Sequence, residues 1–151
     1  MTIMKTKIYL LLLTLISISS ISCMKNRDNI YTGPDVVEFV PLTASVKKGT
    51  TAAPGTAVAT VQLVGHQKSV DTEITYEVAA TSTGTLGTHF SLSGTTGKVI
   101  IPANSSAATI TVTAIPANIA TGTRTVVLNL VGNSSIAPSA NYKTYTLTIT
   151  Q

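Results

Sequence analysis

The stretch Glu73-Ile74-Thr75-Tyr76-Glu77-Val78 alternates polar and apolar side chains more plainly than any other part of the chain. Side chains two residues apart on a β-strand point to the same face of the sheet, so Ile74, Tyr76 and Val78 share one face. A strand with one buried and one solvated face has this pattern. The stretch therefore predicts such a strand, with its two glutamates exposed.

Six further segments show the same period of two, and turn-forming residues lie between them. The residues that we expect to face the core in these segments are Val37, Phe39 and Pro41; Ala59, Val61 and Leu63; Val99 and Ile101; Ile110, Val112 and Ala114; Val126, Leu128 and Leu130; and Tyr145, Leu147 and Ile149. Short strands at this spacing predict an all-β fold, an immunoglobulin-like β-sandwich of about seven strands over residues 35–151.

The composition supports an all-β domain that has no nucleic-acid partner. Residues 23–151 contain 24 threonines, and β-branched residues suit a pleated, half-exposed surface. The same residues carry eight basic and six acidic side chains, a net charge of about +2. Because the basic residues are scattered, they do not form the clustered patch that a phosphate backbone needs.

The first 22 residues have the order of a secretory signal. Lys5 and Lys7 supply positive charge, Ile8 to Ile18 is a short apolar run, and small residues follow. This run is shorter than the roughly 20 residues that span a membrane. We therefore predict a signal peptide over residues 1–22.

Cys23 is the single cysteine of the chain and follows this segment directly. The tetrapeptide Ser20-Ile21-Ser22-Cys23 resembles the bacterial lipobox, whose cysteine is lipidated and becomes the first residue of the mature protein. The resemblance implies a lipoprotein signal peptide and lipidation at Cys23. The residues that follow are polar and show no period of 2 or 3.6, so we predict a polar tether over residues 23–34. We expect a lipid anchor in the cell envelope, in the outer membrane, with its periplasmic or outer face left open.

Two stretches of the predicted domain resemble the Calx-beta family, a calcium-binding β-sandwich. One runs from Gly87-Thr88-His89-Phe90 through Pro102-Ala103-Asn104-Ser105 to Thr109-Ile110-Thr111-Val112, and the other covers Ile115 to Leu130. The resemblance extends over residues 36–150. It implies the family's sandwich fold.

The calcium ligands of that family are not matched by this chain. His89 stands where the pattern has aspartate, and the acidic turn is replaced by Pro116, Ala117, Asn118, Thr121, Thr123 and Arg124. Calcium needs six to eight oxygen ligands, several of them carboxylates. We therefore predict no metal site and no cofactor.

Catalytic residues are not predicted either. A nucleophile needs a Ser, Thr or Cys beside an oriented histidine. His66 and His89 are the two histidines, and both fall in loops between strands, without the spacing of a zinc motif. Tyr76 and Tyr145 fall on core faces. Tyr142, Tyr31 and Phe90 are then the aromatic rings left as candidate ligand-binding residues, because apolar sugar faces pack on exposed rings.

The chain is also similar to small Bacteroidota lipoproteins of unknown function, often found beside glycan-uptake machinery. This similarity implies a non-enzymatic, membrane-anchored accessory module for binding or adhesion, with a role in glycan handling. The alternative is a structural or envelope-assembly lipoprotein that binds a protein partner. The sequence leaves both open, because contacts made by strand edges or loops need no special residue type.

Overall fold

A computed structural model describes residues 31–151 of the 151-residue chain. The signal peptide predicted over residues 1–22, Cys23 and most of the predicted tether lie outside the described residues. The chain divides into two units, Met1–Thr32 and Gly33–Gln151. Within the described part, no helix is both long enough and apolar enough to span a membrane.

The unit Gly33–Gln151 is a β-sandwich of two five-stranded sheets. Its strands are β1 (Val36–Val40), β2 (Thr43–Lys47), β3 (Thr56–Val64), β4 (Thr72–Val78), β5 (Phe90–Leu92), β6 (Lys98–Ile101), β7 (Ala107–Ala114), β8 (Arg124–Gly132), β9 (Ala137–Pro138) and β10 (Thr144–Thr150). The first sheet has the order β5-β7-β3-β1-β9, and the second has the order β2-β10-β8-β4-β6. Pairing is antiparallel except between β1 and β9 and between β2 and β10.

The predicted all-β sandwich is confirmed, and the number of strands is corrected from about seven to ten in the described residues. The seven predicted segments correspond to β1, β3, β4, β6, β7, β8 and β10. The three additional strands are β2, β5 and β9. β5 and β9 have three and two residues, too few to show an alternation. Each of these two segments is a strand because it pairs with a neighbouring strand, β5 with β7 and β9 with β1.

The core contains the residues that the alternation assigns to it. All the predicted inward residues are buried except Pro41, which follows β1 and is exposed, and Val78, which is partly buried. Both sheets contribute, because the inner face of each sheet packs against the other sheet. Ile119 and Ile136 add apolar volume from connecting segments.

Asp35 ties the start of the sandwich to the loop between β3 and β4. Its carboxylate accepts hydrogen bonds from the His66 backbone N–H (2.9 Å) and the Lys68 ammonium, and it lies 3.2 Å from His66 Nδ1. Gly65 leaves room for this contact, because a Cβ atom there would collide with Asp35 Oδ1. The hydrogen bond from Lys68, followed by that from the His66 backbone, holds the pKa of Asp35 well below its usual range.

We expect Asp35→Asn to lower the thermal midpoint at neutral pH. A carboxylate whose pKa is lower in the folded than in the unfolded state stabilises the fold above the unfolded value of 3.8. That contribution is lost as the pH falls through the folded value. The difference in midpoint between wild type and variant should therefore shrink between about pH 5 and pH 2 in scanning calorimetry.

Glu77→Gln is the control for this effect. Its carboxylate is exposed and has one long contact, 3.5 Å, from Asn129 Nδ2. The control should keep the wild-type pH profile. A difference between wild type and Asp35→Asn that stays constant from pH 7 to pH 2 would contradict the assigned role of the Asp35 charge.

Candidate functional site

A groove of about 520 Å³ lies between β6 of the second sheet and β7 of the first sheet. It forms because β6 is the outermost strand of its sheet, and because β5 pairs with only the last part of β7. The first half of β7 therefore has no neighbouring strand on that side. We call this feature the edge groove.

The lining of the edge groove is mostly neutral. Its apolar members are Val99, Ile100, Pro102, Ala107, Ala108 and Ile110, and its hydroxyl-bearing members are Ser93, Thr95 and Thr109. Glu73 and Lys98 form an ion pair at the rim, with Oε1 2.9 Å from Nζ and both side chains about half exposed (50% and 51%). Methyl groups with a few polar atoms are the common lining of small-molecule sites.

The ladder between β3 and β7 determines which backbone groups of β7 point away from β3. Leu63 N–H donates to the Ser106 carbonyl, and Ala114 N–H donates to the Gly55 carbonyl, both at 2.8 Å. In an antiparallel pair, hydrogen-bonded and non-hydrogen-bonded residues alternate. With the observed register, Thr109 is a non-hydrogen-bonded residue, so its N–H and C=O point toward the open side.

Two serines form hydrogen bonds with the outward-pointing backbone groups of Ala107 and Thr111, two residues before and two residues after Thr109. Ser93 Oγ accepts from Thr111 N–H (2.8 Å), and the Ser93 N–H donates to the Thr111 carbonyl (2.9 Å). Ser105 Oγ accepts from Ala107 N–H (3.2 Å) and donates to its carbonyl (3.1 Å). Thr109 is left with an N–H and a C=O that have no partner among the described residues.

The edge of β6 contains one residue, Ile100, whose backbone groups are open in the same way as those of Thr109. Tyr76 N–H donates to the Gly97 carbonyl (2.9 Å), so the register turns the N–H and C=O of Ile100 away from β4. Lys98 N–H, the neighbouring outward group, donates to the Thr95 carbonyl (3.0 Å). Within residues 31–151, the N–H and C=O of Ile100 have no partner, and its side chain is 55% exposed.

A second, shallower cleft of about 560 Å³ lies between residues 68–73 and 133–136 and shares Glu73 with the edge groove. Its polar side chains hold loops in place. Asn133 Nδ2 donates to the Glu73 carbonyl (2.9 Å), and Asn133 Oδ1 accepts from the Ser135 and Ile136 N–H groups (2.9 and 2.8 Å). Asp71 Oδ1 accepts a further backbone N–H. The side chains of Asn133 and Asp71 are therefore committed to the loops that form this cleft.

Within the sandwich unit, the predicted ligand-binding aromatics Phe90 and Tyr142 do not form one site. Phe90 is 0% exposed, and the expectation of an exposed ring is wrong there: as the first residue of β5, its ring points into the core. Tyr142 is 48% exposed, and its carbonyl accepts from Phe39 N–H of β1, two strands away from β7. Tyr31 is exposed and belongs to the other unit.

The two histidines serve the loops in which they lie. His66 contacts Asp35, and His89 Nδ1 accepts from Thr85 N–H (3.0 Å). Among residues 31–151, no three His, Cys, Asp or Glu side chains come close enough together to hold a metal ion. Glu73 and Glu77 are exposed, as the alternation predicts.

No family model and no curated protein matches the chain. Among solved structures, the apo form of the Calx CBD1 domain is similar, with a TM-score of 0.61 and 16% identity over 78% of this chain and 97% of that domain. The fold is a Calx-beta-like β-sandwich. A candidate carbohydrate-binding protein from Bacteroides ovatus is also similar, with a TM-score of 0.56, 14% identity and 77% of this chain covered.

Both similarities are at the level of the fold. This chain spans 37% of the Bacteroides ovatus protein, and 44% of a CBD12 protein from CALX1.2 that it matches with a TM-score of 0.58 and 17% identity. A calcium-binding domain, CBD12 of CALX1.1, is a further structure of similar fold, with a TM-score of 0.58 and 16% identity over 76% of this chain.

Proposed function

We propose that this protein is a non-enzymatic binding module, held in the cell envelope by a lipid on Cys23, whose edge groove binds a carbohydrate. The observation that carries the proposal is the lining of the edge groove. Sugars present apolar C–H faces together with hydroxyl groups. The groove offers methyl groups beside hydroxyls, the Glu73–Lys98 ion pair, and the backbone groups of Ile100 and Thr109, which have no partner within residues 31–151.

The Bacteroides ovatus neighbour supports the proposal by analogy, since a shared fold does not transfer a ligand. The remaining elements come from the sequence. Lipidation at Cys23 makes the membrane a partner through the anchor, and the outer membrane is the proposed location. Residues 24–34 would then act as a tether, holding the sandwich at most about 35–40 Å from the lipid surface.

Carbohydrate binding at this site is tested by placing a large side chain in the groove. We expect Thr109→Arg to weaken retention on a glycan array at least tenfold, because residue 109 lines the groove and is exposed. Thr60→Arg is the matched control, since Thr60 is the partner of Thr109 on β3 and does not line the groove. Thermal midpoints of both variants verify that the fold is intact.

Tyr142→Ala separates the edge groove from the aromatic site that the sequence predicts. If the groove is the site, Tyr142→Ala retains glycan binding. Loss of binding in Tyr142→Ala together with full binding in Thr109→Arg would move the site to Tyr142. Absence of retention of any glycan by the wild-type protein would overturn the proposed function.

A protein partner is the second candidate, and one observation favours it. β6 is the outermost strand of its sheet, and exposed strand edges can pair with a strand from another chain. A photo-crosslinking residue at position 100, with position 60 as control, tests this alternative in whole envelopes. A single protein crosslinked from position 100 alone, without glycan retention, would favour it.

A further inference from the structure

We propose that the edge groove recognises a secondary amide, so that its carbohydrate ligand carries N-acetylated amino sugars. This inference rests on the proposed carbohydrate-binding function and specifies its ligand class. The observation behind it is that the backbone N–H and C=O of Ile100 and those of Thr109 point away from their own ladders, and that both residues line the groove.

The geometry of an amide matches two walls of this kind. A trans secondary amide directs its N–H and its C=O in opposite directions. In a groove between two strand edges, the amide can donate to the carbonyl of one wall and accept from the N–H of the other. An acetamido group has this bonding pattern in a single substituent. Sugar hydroxyls can form hydrogen bonds too, but they do not supply a fixed donor and acceptor on opposite sides.

The methyl group of an acetamido substituent also has a suitable environment. Ile100, Pro102 and Ala107 place exposed apolar groups along the groove, and Ala108 is partly buried there. Val99 and Ile110 also line the groove, but both are buried core residues. Burial of a methyl group there removes apolar surface from water. Glu73 and Lys98, paired at the rim, remain available to the ring hydroxyls.

An extended peptide is a poorer match, although it also carries amides. A pairing strand forms hydrogen bonds at every second residue of the edge that it joins. On β7, Ser93 and Ser105 already occupy the groups at Thr111 and Ala107. A peptide strand that pairs with β7 would therefore have the backbone groups of Thr109 alone to bond on this wall.

The wall formed by β6 has the same limit. Pro102 has no N–H, and its carbonyl accepts from Ser105 N–H (3.0 Å), while Lys98 N–H is bonded to the Thr95 carbonyl. Among the described residues of this edge, Ile100 is thus the one whose outward N–H and C=O are both without a partner. One residue with both groups open on each wall suits one amide, whereas a strand added to either edge would form fewer hydrogen bonds than at a fully open edge.

The test measures the affinity of the full-length lipidated protein for each of two disaccharides, in a detergent without a sugar headgroup. The ligands are β-1,4-linked N-acetylglucosamine disaccharide and cellobiose, which has hydroxyls in place of the acetamido groups. We expect the N-acetylated disaccharide to bind at least tenfold more tightly in calorimetric titration. We also expect its largest NMR shift changes at the backbone amides of Ile100 and Thr109.

Proline substitution removes the recognising donors one at a time. The N–H groups of Ile100 and Thr109 are not used in the ladders, so Ile100→Pro and Thr109→Pro take no hydrogen bond from the sheets. In either orientation of the ligand, one of these N–H groups donates to the carbonyl of the acetamido group. At least one proline variant must therefore lose the preference for the N-acetylated disaccharide over cellobiose, while Ile100→Val keeps that preference.

The outcomes distinguish this inference from the proposed function. Equal affinity for the two disaccharides, or tight binding of another glycan that lacks acetamido groups, would overturn the inference and leave carbohydrate binding standing. Tighter binding of acetyl-trialanine amide than of either disaccharide would overturn both in favour of a protein partner. If the proline variants do not fold, the titrations with the wild-type protein still decide.

Discussion

Phe39→Ala should lower the free energy of unfolding by about 3–5 kcal/mol, the range for removing a buried phenylalanine ring. Phe39 is 1% exposed and lies on β1 of the first sheet. Its ring contacts the ring of Tyr145 on β10 of the second sheet, with centroids 5.7 Å apart and planes at 45°. Because the pair joins the two sheets, its loss leaves a cavity between them. Urea unfolding followed by circular dichroism measures the change.

Tyr145→Phe is the matched variant, and we do not expect it to lower the free energy of unfolding. The Tyr145 hydroxyl is buried and has no hydrogen-bond partner among the described residues, and burial raises the pKa of this phenol. Removing an unsatisfied buried hydroxyl while keeping the ring should leave stability unchanged or raise it by about 1 kcal/mol. A loss of more than about 1 kcal/mol would show that the hydroxyl is bonded in solution.

Cys23→Ser should transfer the protein from the membrane fraction to the soluble fraction. Serine cannot form the thioether through which a lipobox cysteine carries its lipid, and stable anchoring requires more than one acyl chain. Cell fractionation followed by immunoblotting measures the distribution, and incorporation of labelled palmitate measures lipidation. We expect both membrane retention and label to be lost.

The control for this result is Ser22→Ala, which keeps a small side chain before the cysteine and should leave the protein in membranes. The soluble Cys23→Ser protein should keep the wild-type thermal midpoint, because Cys23 lies outside the sandwich unit Gly33–Gln151. Retention of Cys23→Ser in membranes, without label, would mean that something other than a lipid holds the protein there.

Much of the fold could be predicted from the sequence because alternation is a local property. In β4, Ile74 and Tyr76 are buried and Glu73 and Glu77 are exposed, as their spacing requires. The same holds for β8 and β10, where each buried residue is two positions from the next. A strand of seven to nine residues carries enough periods for its inward face to be assigned.

The short strands, the burial of Phe90 and the position of Tyr142 could not be predicted in this way. Phe90 lies in a three-residue strand, so no alternation assigns its ring to the core. Its burial follows from the pairing of β5 with β7, which places it opposite Ala114. Tyr142 is exposed as predicted, but its position near β1 depends on a hydrogen bond to Phe39, a residue far away in the chain.

The sequence by itself determined that this is an all-β sandwich, which inward residues form its core, and where a lipid anchor is to be expected. The edge groove was decided by the tertiary structure alone. Ile100 and Thr109 belong to strands of different sheets, and they face one groove because β6 ends one sheet while β5 stops short of covering β7. Strand order and strand pairing are relations between distant segments, and a periodicity of two contains no information about them.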